Sequence, residues 1–133
     1  HRTFSFTEPT DEWQKLHEVA VEGYLAIENT IKDGATTADV ELAAEVIHDR
    51  GYTILDDLLH GVNQSPPIIQ TKTTKRHENP DITFKENMAI TIQPNVMTMD
   101  ERMGLQFGET VMVTKTGCER LNAYPREWII CKG

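Results

Sequence analysis

Met88-Ala89-Ile90-Thr91-Ile92-Gln93-Pro94 and Leu105-Gln106-Phe107-Gly108-Glu109-Thr110-Val111-Met112-Val113-Thr114 are the two stretches on which the reading of this chain turns. Both alternate. In the first, Met88, Ile90 and Ile92 point one way and Ala89, Thr91 and Gln93 the other. In the second, Leu105, Phe107, Val111 and Val113 share a face, and Gln106, Thr110 and Met112 share the opposite one. A period of two marks strands with one apolar face. Asp100-Glu101-Arg102-Met103-Gly104 between them is turn-like. Lys115-Thr116-Gly117 predicts a hairpin turn, from which Cys118-Glu119-Arg120-Leu121 returns.

Upstream, the period changes. Arg2-Thr3-Phe4-Ser5-Phe6 reads as the end of a strand, broken by Glu8-Pro9. Thr10 is a helix N-cap with Asp11 and Glu12 behind it, where the helix dipole favours anions. Trp13, Leu16, Ala20, Tyr24, Ile27 and Ile31 follow at steps of three and four, one face of a long helix that Asp33-Gly34 stops. Thr36 and Asp39 form a capping-box pair for a second helix, buried through Val40, Ala43, Ala44 and Ile47 and ended by Gly51. Short apolar runs at Ile54-Leu55 and Leu58-Leu59 lead into His60-Gly61. Residues 63–82 are polar and hold three prolines, a long loop or a splayed hairpin. Helices followed by antiparallel strands make an α+β protein.

A chain of 133 residues is one domain's worth. The net charge of −8 argues against nucleic acid as a partner, and the basic cluster Lys72, Lys75, Arg76 and His77 reads as a solvated loop. No apolar run has the length of a membrane span, so no membrane partner is expected. Two cysteines, Cys118 and Cys131, make neither a disulfide framework nor a zinc site. They point to a reducing, cytoplasmic compartment.

In this order the motifs resemble the C-terminal part of the pita-bread metallopeptidases, the family of Xaa-Pro aminopeptidase, prolidase, methionine aminopeptidase and creatinase. Arg2-Thr3-Phe4 resembles the segment after the family's second metal-binding Asp. His60-Gly61-Val62 resembles its His-Gly motif, and the 84–94 strand its Thr-Ile-Glu-Pro strand. The 108–119 stretch resembles Glu-Asp-Thr-Val-x-Val-Thr-x-x-Gly-Cys-Glu. The resemblance implies a pita-bread fold with two helices packed on a curved antiparallel sheet. It also implies that residues 1–133 are the C-terminal portion of the catalytic domain, with the upstream part of the same protein as a partner and a homodimer as the family's frequent assembly.

The family's peptidases hold two divalent ions with two Asp, one His and two Glu. The resemblance places the two Asp upstream of His1, His60 at the His position, and Gln93 and Gly108 at the two Glu positions. Gln93 offers one neutral oxygen and Gly108 no side chain, which leaves too little negative charge for a pair of cations. No cofactor is expected from these residues. Manganese, cobalt, zinc or iron enters only with intact upstream Asp ligands. In a regular strand Glu109 faces away from position 108, with Phe107 and Val111, and a bulge at Gly108 would be needed to re-aim it.

Three functions follow. The first is a peptidase-like hydrolase of the creatinase kind, which works without metal on a small peptide or small C–N substrate. Its catalytic candidates are His60 and Glu109, with Asn63 and Gln93 holding a carbonyl or carboxylate. The second is a surviving metallopeptidase that recruits metal through His60 and Glu109 with upstream Asp residues. The third is a non-catalytic module that binds a peptide or protein in the same groove. His17 and His48 read as boundary or surface residues on their helices, and Trp128 as the cover of a sheet edge.

Overall fold

The structure, a computed structural model, describes residues 1–71 and 78–132. Two helices form where the sequence predicts them. Helix α1 spans Asp11–Thr30 and buries Leu16, Val19, Ala20, Tyr24 and Ile27; Ile31 is buried just beyond its end. Thr10 precedes it in extended backbone but makes no side-chain cap, so its contribution is conformational. Helix α2 spans Thr37–Asp49 and carries the full capping box: Asp39 N–H donates to Thr36 Oγ1, and Thr36 N–H donates to Asp39 Oδ2 at 2.7 Å. Gly34 (φ +89°) and Gly51 (φ +80°) take the left-handed backbone that lets the chain turn after each helix. The helices cross closely, since a Cβ at Gly23 would sit 2.5 Å from Ile47 Cδ1.

The strands form one long hairpin with additions. Strand β5 (Ala89–Ile92) runs through Gln93-Pro94 into β6 (Asn95–Thr98), and β7 (Gly104–Gln106) runs through Phe107-Gly108 into β8 (Glu109–Val113). Asn95 lies opposite Gln106 and Ile92 opposite Glu109. The register is therefore unbroken, and Gln93 faces Gly108 across the join. On one side of that join β2 (Tyr52–Ile54) adds to β6. On the other, β3 (Leu59–Gly61) adds to β5, β4 (Ile68–Ile69) to β3, and β9 (Cys118–Arg120) to β8. All these pairs are antiparallel. Helix α1 packs on β5, β6 and β7, and α2 on β2. Leu59, Ile90, Ile92, Phe107, Val111 and Val113 fill the core beneath them.

The 63–82 stretch takes its hairpin alternative in part: a 3₁₀ turn at Val62–Gln64 leads into β4, which pairs back on β3. Two features differ from the expectation. A last strand, β10 (Ile129–Ile130), pairs parallel with β1 (Phe4–Ser5), while Trp128 Nε1 donates to Ser5 Oγ at 2.8 Å. Two residues are too few for a period to register in the sequence. His17 is buried, edge-on to Phe107 and Trp128 at 6.0 and 5.6 Å. The basic cluster at 72–77 lies outside the described residues. Among the described residues no helix is long and apolar enough to cross a membrane.

Candidate functional site

Strand pairing decides which side chains meet. His60, Thr91 and Thr110 lie in one row across β3, β5 and β8, on the face away from the helices. Two residues along on that face come Gln93 and Gly108. The face opens into a cavity of about 380 Å³, lined by His60, Asn63, Thr91, Gln93, Thr110 and Asn122 among others. All four site residues singled out in the sequence, His60, Asn63, Gln93 and Glu109, thus border one pocket.

His60 is 5 % exposed at the end of β3. Its Nδ1 lies 2.6 Å from Gly61 O. A carbonyl only accepts, so Nδ1 carries a proton and donates it, and in the neutral tautomer the lone pair sits on Nε2. Nε2 has no hydrogen-bond partner among the described residues. Its nearest charge is Asp57 Oδ2 at 3.9 Å, beyond hydrogen-bond reach. Burial pushes the Asp57 carboxyl above the usual carboxylate range, and hydrogen bonding and the His60 imidazole oppose that shift. Sequence reading missed Asp57. Its only signal is its place three residues before His60.

Gln93 is 4 % exposed. Its N–H donates to Leu58 O at 2.8 Å, while its side-chain Oε1 is buried without a partner among the described residues. Gly108 explains how Gln93 is seated. A Cβ at position 108 would lie 2.6 Å from Ile92 O, 2.8 Å from Gln93 Cβ and 2.9 Å from Gln93 Cα. The space a side chain needs there is occupied by backbone. Asn63 (φ 59°) and Gln64 (φ 58°) both take the left-handed conformation at the pocket lip. Two such residues in succession are sparse outside glycine and occur where surrounding structure dictates them.

Glu109 borders the same cavity, but its side chain follows the regular-strand direction without a bulge. The carboxylate is fully buried and both oxygens are taken. Tyr24 bonds Oε2 at 2.9 Å, Arg120 bonds Oε1 at 2.5 Å, Arg2 bonds Oε1, and Arg126 lies 3.3 Å from Oε2. Burial pushes the pKa of Glu109 up, but the bonds from Arg120, Arg2 and Tyr24 and the charge of Arg2 outweigh it and bring it to about 2. The same network ties down the C-terminal segment, because Arg2 Nε donates to Pro125 O at 2.6 Å and Arg120 donates to Tyr124 O at 2.7 Å. No three His, Cys, Asp or Glu side chains among the described residues converge as a metal-holding group.

Similarity to known proteins extends along nearly the whole chain. It is 24 % identical over 127 residues to the Xaa-Pro dipeptidase of Pyrococcus furiosus, covering 95 % of this chain and 36 % of that protein. It is 30 % identical over 136 residues to an uncharacterized hydrolase/peptidase of Sinorhizobium fredii, covering 95 % and 32 %. The crystal structure of an X-Pro aminopeptidase from Thermotoga maritima matches with TM-score 0.82 at 26 % identity, covering 98 % of this chain and 36 % of that one. A methionine aminopeptidase structure from Rickettsia prowazekii shares the fold, with TM-score 0.68 at 23 % identity and coverage of 85 % and 53 %. The architecture of two helices on an antiparallel sheet is thus the pita-bread fold. The chain spans about a third of the length of the curated relatives it matches. Residues 1–115 match metallopeptidase family M24, and the chain belongs to that family.

Proposed function

We propose that the protein carrying this chain is a peptidase-like hydrolase whose pocket handles a small peptide or other small C–N substrate without a pair of metal ions. One observation carries the reading. Among the described residues His60 Nε2 and Gln93 Oε1 are buried without partners, and both residues line one pocket, beside a Gly108 whose side-chain space is filled. A two-metal site needs bridging carboxylates. The carboxylate closest in sequence, Glu109, has both oxygens taken by Tyr24 and three arginines, so these residues do not fit such a site. Glu109 serves as an anchor in this reading rather than as a proton carrier. The unbonded cysteines accord with a cytoplasmic setting.

The chemistry then falls to His60. Its Nε2 lone pair takes a proton from water as the water oxygen bonds to the substrate carbon. The C–N bond breaks, and the imidazolium returns that proton to the leaving nitrogen. One water is consumed and an acid and an amine are released. Asn63 and Gln93 hold the substrate's polar groups in place.

The test is turnover of the intact protein on a small peptide and a small C–N substrate, before and after chelation, alongside metal analysis. Chelator-resistant turnover abolished by His60→Gln is the expected result. Two tightly bound ions per chain, with turnover lost on chelation, would overturn the reading in favour of a metallopeptidase. Binding of substrate with no product would assign a non-catalytic module.

A further inference from the structure

We infer that the floor of this pocket recognises a planar, uncharged –NH2 group adjoining a C=O, the end of a carboxamide or a urea. This deepens the proposed function and rests on the same pocket being the ligand site, but not on turnover. Among the described residues, two buried side-chain atoms of the pocket-lining residues lack partners, His60 Nε2 and Gln93 Oε1, and both can accept. With Nδ1–H committed to Gly61 O, the neutral imidazole presents Nε2 as an acceptor, and Gln93 Oε1 is one by nature. A buried acceptor without a donor is costly, so the complementary ligand brings N–H groups to this spot. A carboxylate would set two more acceptors against them.

The neighbouring hydroxyls supply the other half. Thr91 Oγ1 and Thr110 Oγ1 are 3.0 Å apart and share one hydrogen, which leaves the second hydroxyl hydrogen free to donate. Both residues line the pocket, and a carbonyl oxygen beside the –NH2 accepts that hydrogen. Glu109 offers a cationic ligand no unpaired charge. This acid, bordering the cavity, is already met by Arg2, Arg120 and Arg126. Gly108 belongs to the same device, because only a residue without Cβ lets β8 approach the Gln93 Cα and Cβ this closely.

The test uses the intact, chelator-treated protein and three probes of matched size: N-acetylglycinamide, N-acetylglycine and N-acetylglycine methyl ester, titrated by calorimetry. The amide is expected to bind at least about tenfold tighter than either of the others, the discrimination usual where buried polar groups would otherwise stay unpaired. Gln93→Met removes the acceptor at similar length and is expected to erase most of that preference. Gln93→Glu keeps an acceptor and is expected to retain amide binding. Equal or tighter binding of the acid or ester, no binding of the amide, or an undiminished preference in Gln93→Met would each overturn the inference. If Gln93→Met does not fold, as judged by its thermal midpoint, the probe series on the native protein and on Gln93→Glu decides. Because the protein is metal-free and no product is required, failure here leaves chelator-resistant turnover as a separate result.

Discussion

Tyr24 in the middle of α1 and Glu109 at the start of β8, 85 residues apart, hydrogen-bond at 2.9 Å in the core. Burial and the nearby Glu28 and Glu109 carboxylates hold the Tyr24 phenol well above its usual pKa, so it remains a donor. Glu28 joins the group through Tyr24 and Arg126, at 2.8 and 2.6 Å. This cluster joins helix, sheet and C-terminal segment. Glu109→Ala would leave the half-buried Arg2 and Arg120 guanidinium groups without their carboxylate and Tyr24 with one acceptor fewer, and should destabilise by about 3 kcal/mol, read from the urea midpoint. Tyr24→Phe removes the hydroxyl that Glu109 and Glu28 share and should cost about 1–3 kcal/mol.

The same carboxylate sets a pH dependence. Its folded pKa of about 2 lies below the ordinary 4.5. A depressed acid stabilises the fold above its unfolded pKa, and that stability is lost as pH falls through the folded one. About 3 kcal/mol should therefore disappear between pH 4.5 and pH 2. Urea unfolding of native protein and of Glu109→Gln across that window checks this. A variant with an undiminished acid slope would refute the assignment.

Gly108→Ala places a methyl against Ile92 O and the Gln93 backbone, atoms that cannot swing away. Overpacking of this kind costs about 1–3 kcal/mol. It should also displace Gln93, visible as shifted amide signals at residues 92–94. Restoring a glutamate at 108 alone meets the same backbone, so Gly108→Glu should fail to gain divalent-cation binding by calorimetry.

Thr36→Ala breaks the capping box of α2 and should cost about 1 kcal/mol of thermal or urea stability. Thr10→Ala, which removes no side-chain bond, should cost distinctly less.

What the sequence discloses depends on how far apart the partners lie. The capping box of Thr36 and Asp39 is a local rule and reads directly. The alternation through Ile90 and Ile92, and through Val111 and Val113, names the core face because a strand's period is independent of its neighbours. His60, Asn63 and Gln93 are legible as candidates from their motifs. That they line one pocket follows from register, which the alternating pattern fixes once the hairpin is assumed. Glu109's surroundings were not legible. Arg2 is 107 residues away and Arg126 is 17 residues away around two turns, and no pattern in sequence announces such meetings. His17 was misjudged because a histidine on a helix edge becomes core only when Trp128 folds over it.

The two-rung parallel ladder of Phe4 and Ser5 with Ile129 and Ile130 sets an order in time. The loop it closes contains almost everything else, so zippering it early would demand a large entropic sacrifice for two rungs. It should form last and open first. The amides of Ile129 and Cys131, which donate across it to Thr3 O and Ser5 O, should exchange with deuterium well ahead of those in the central hairpin.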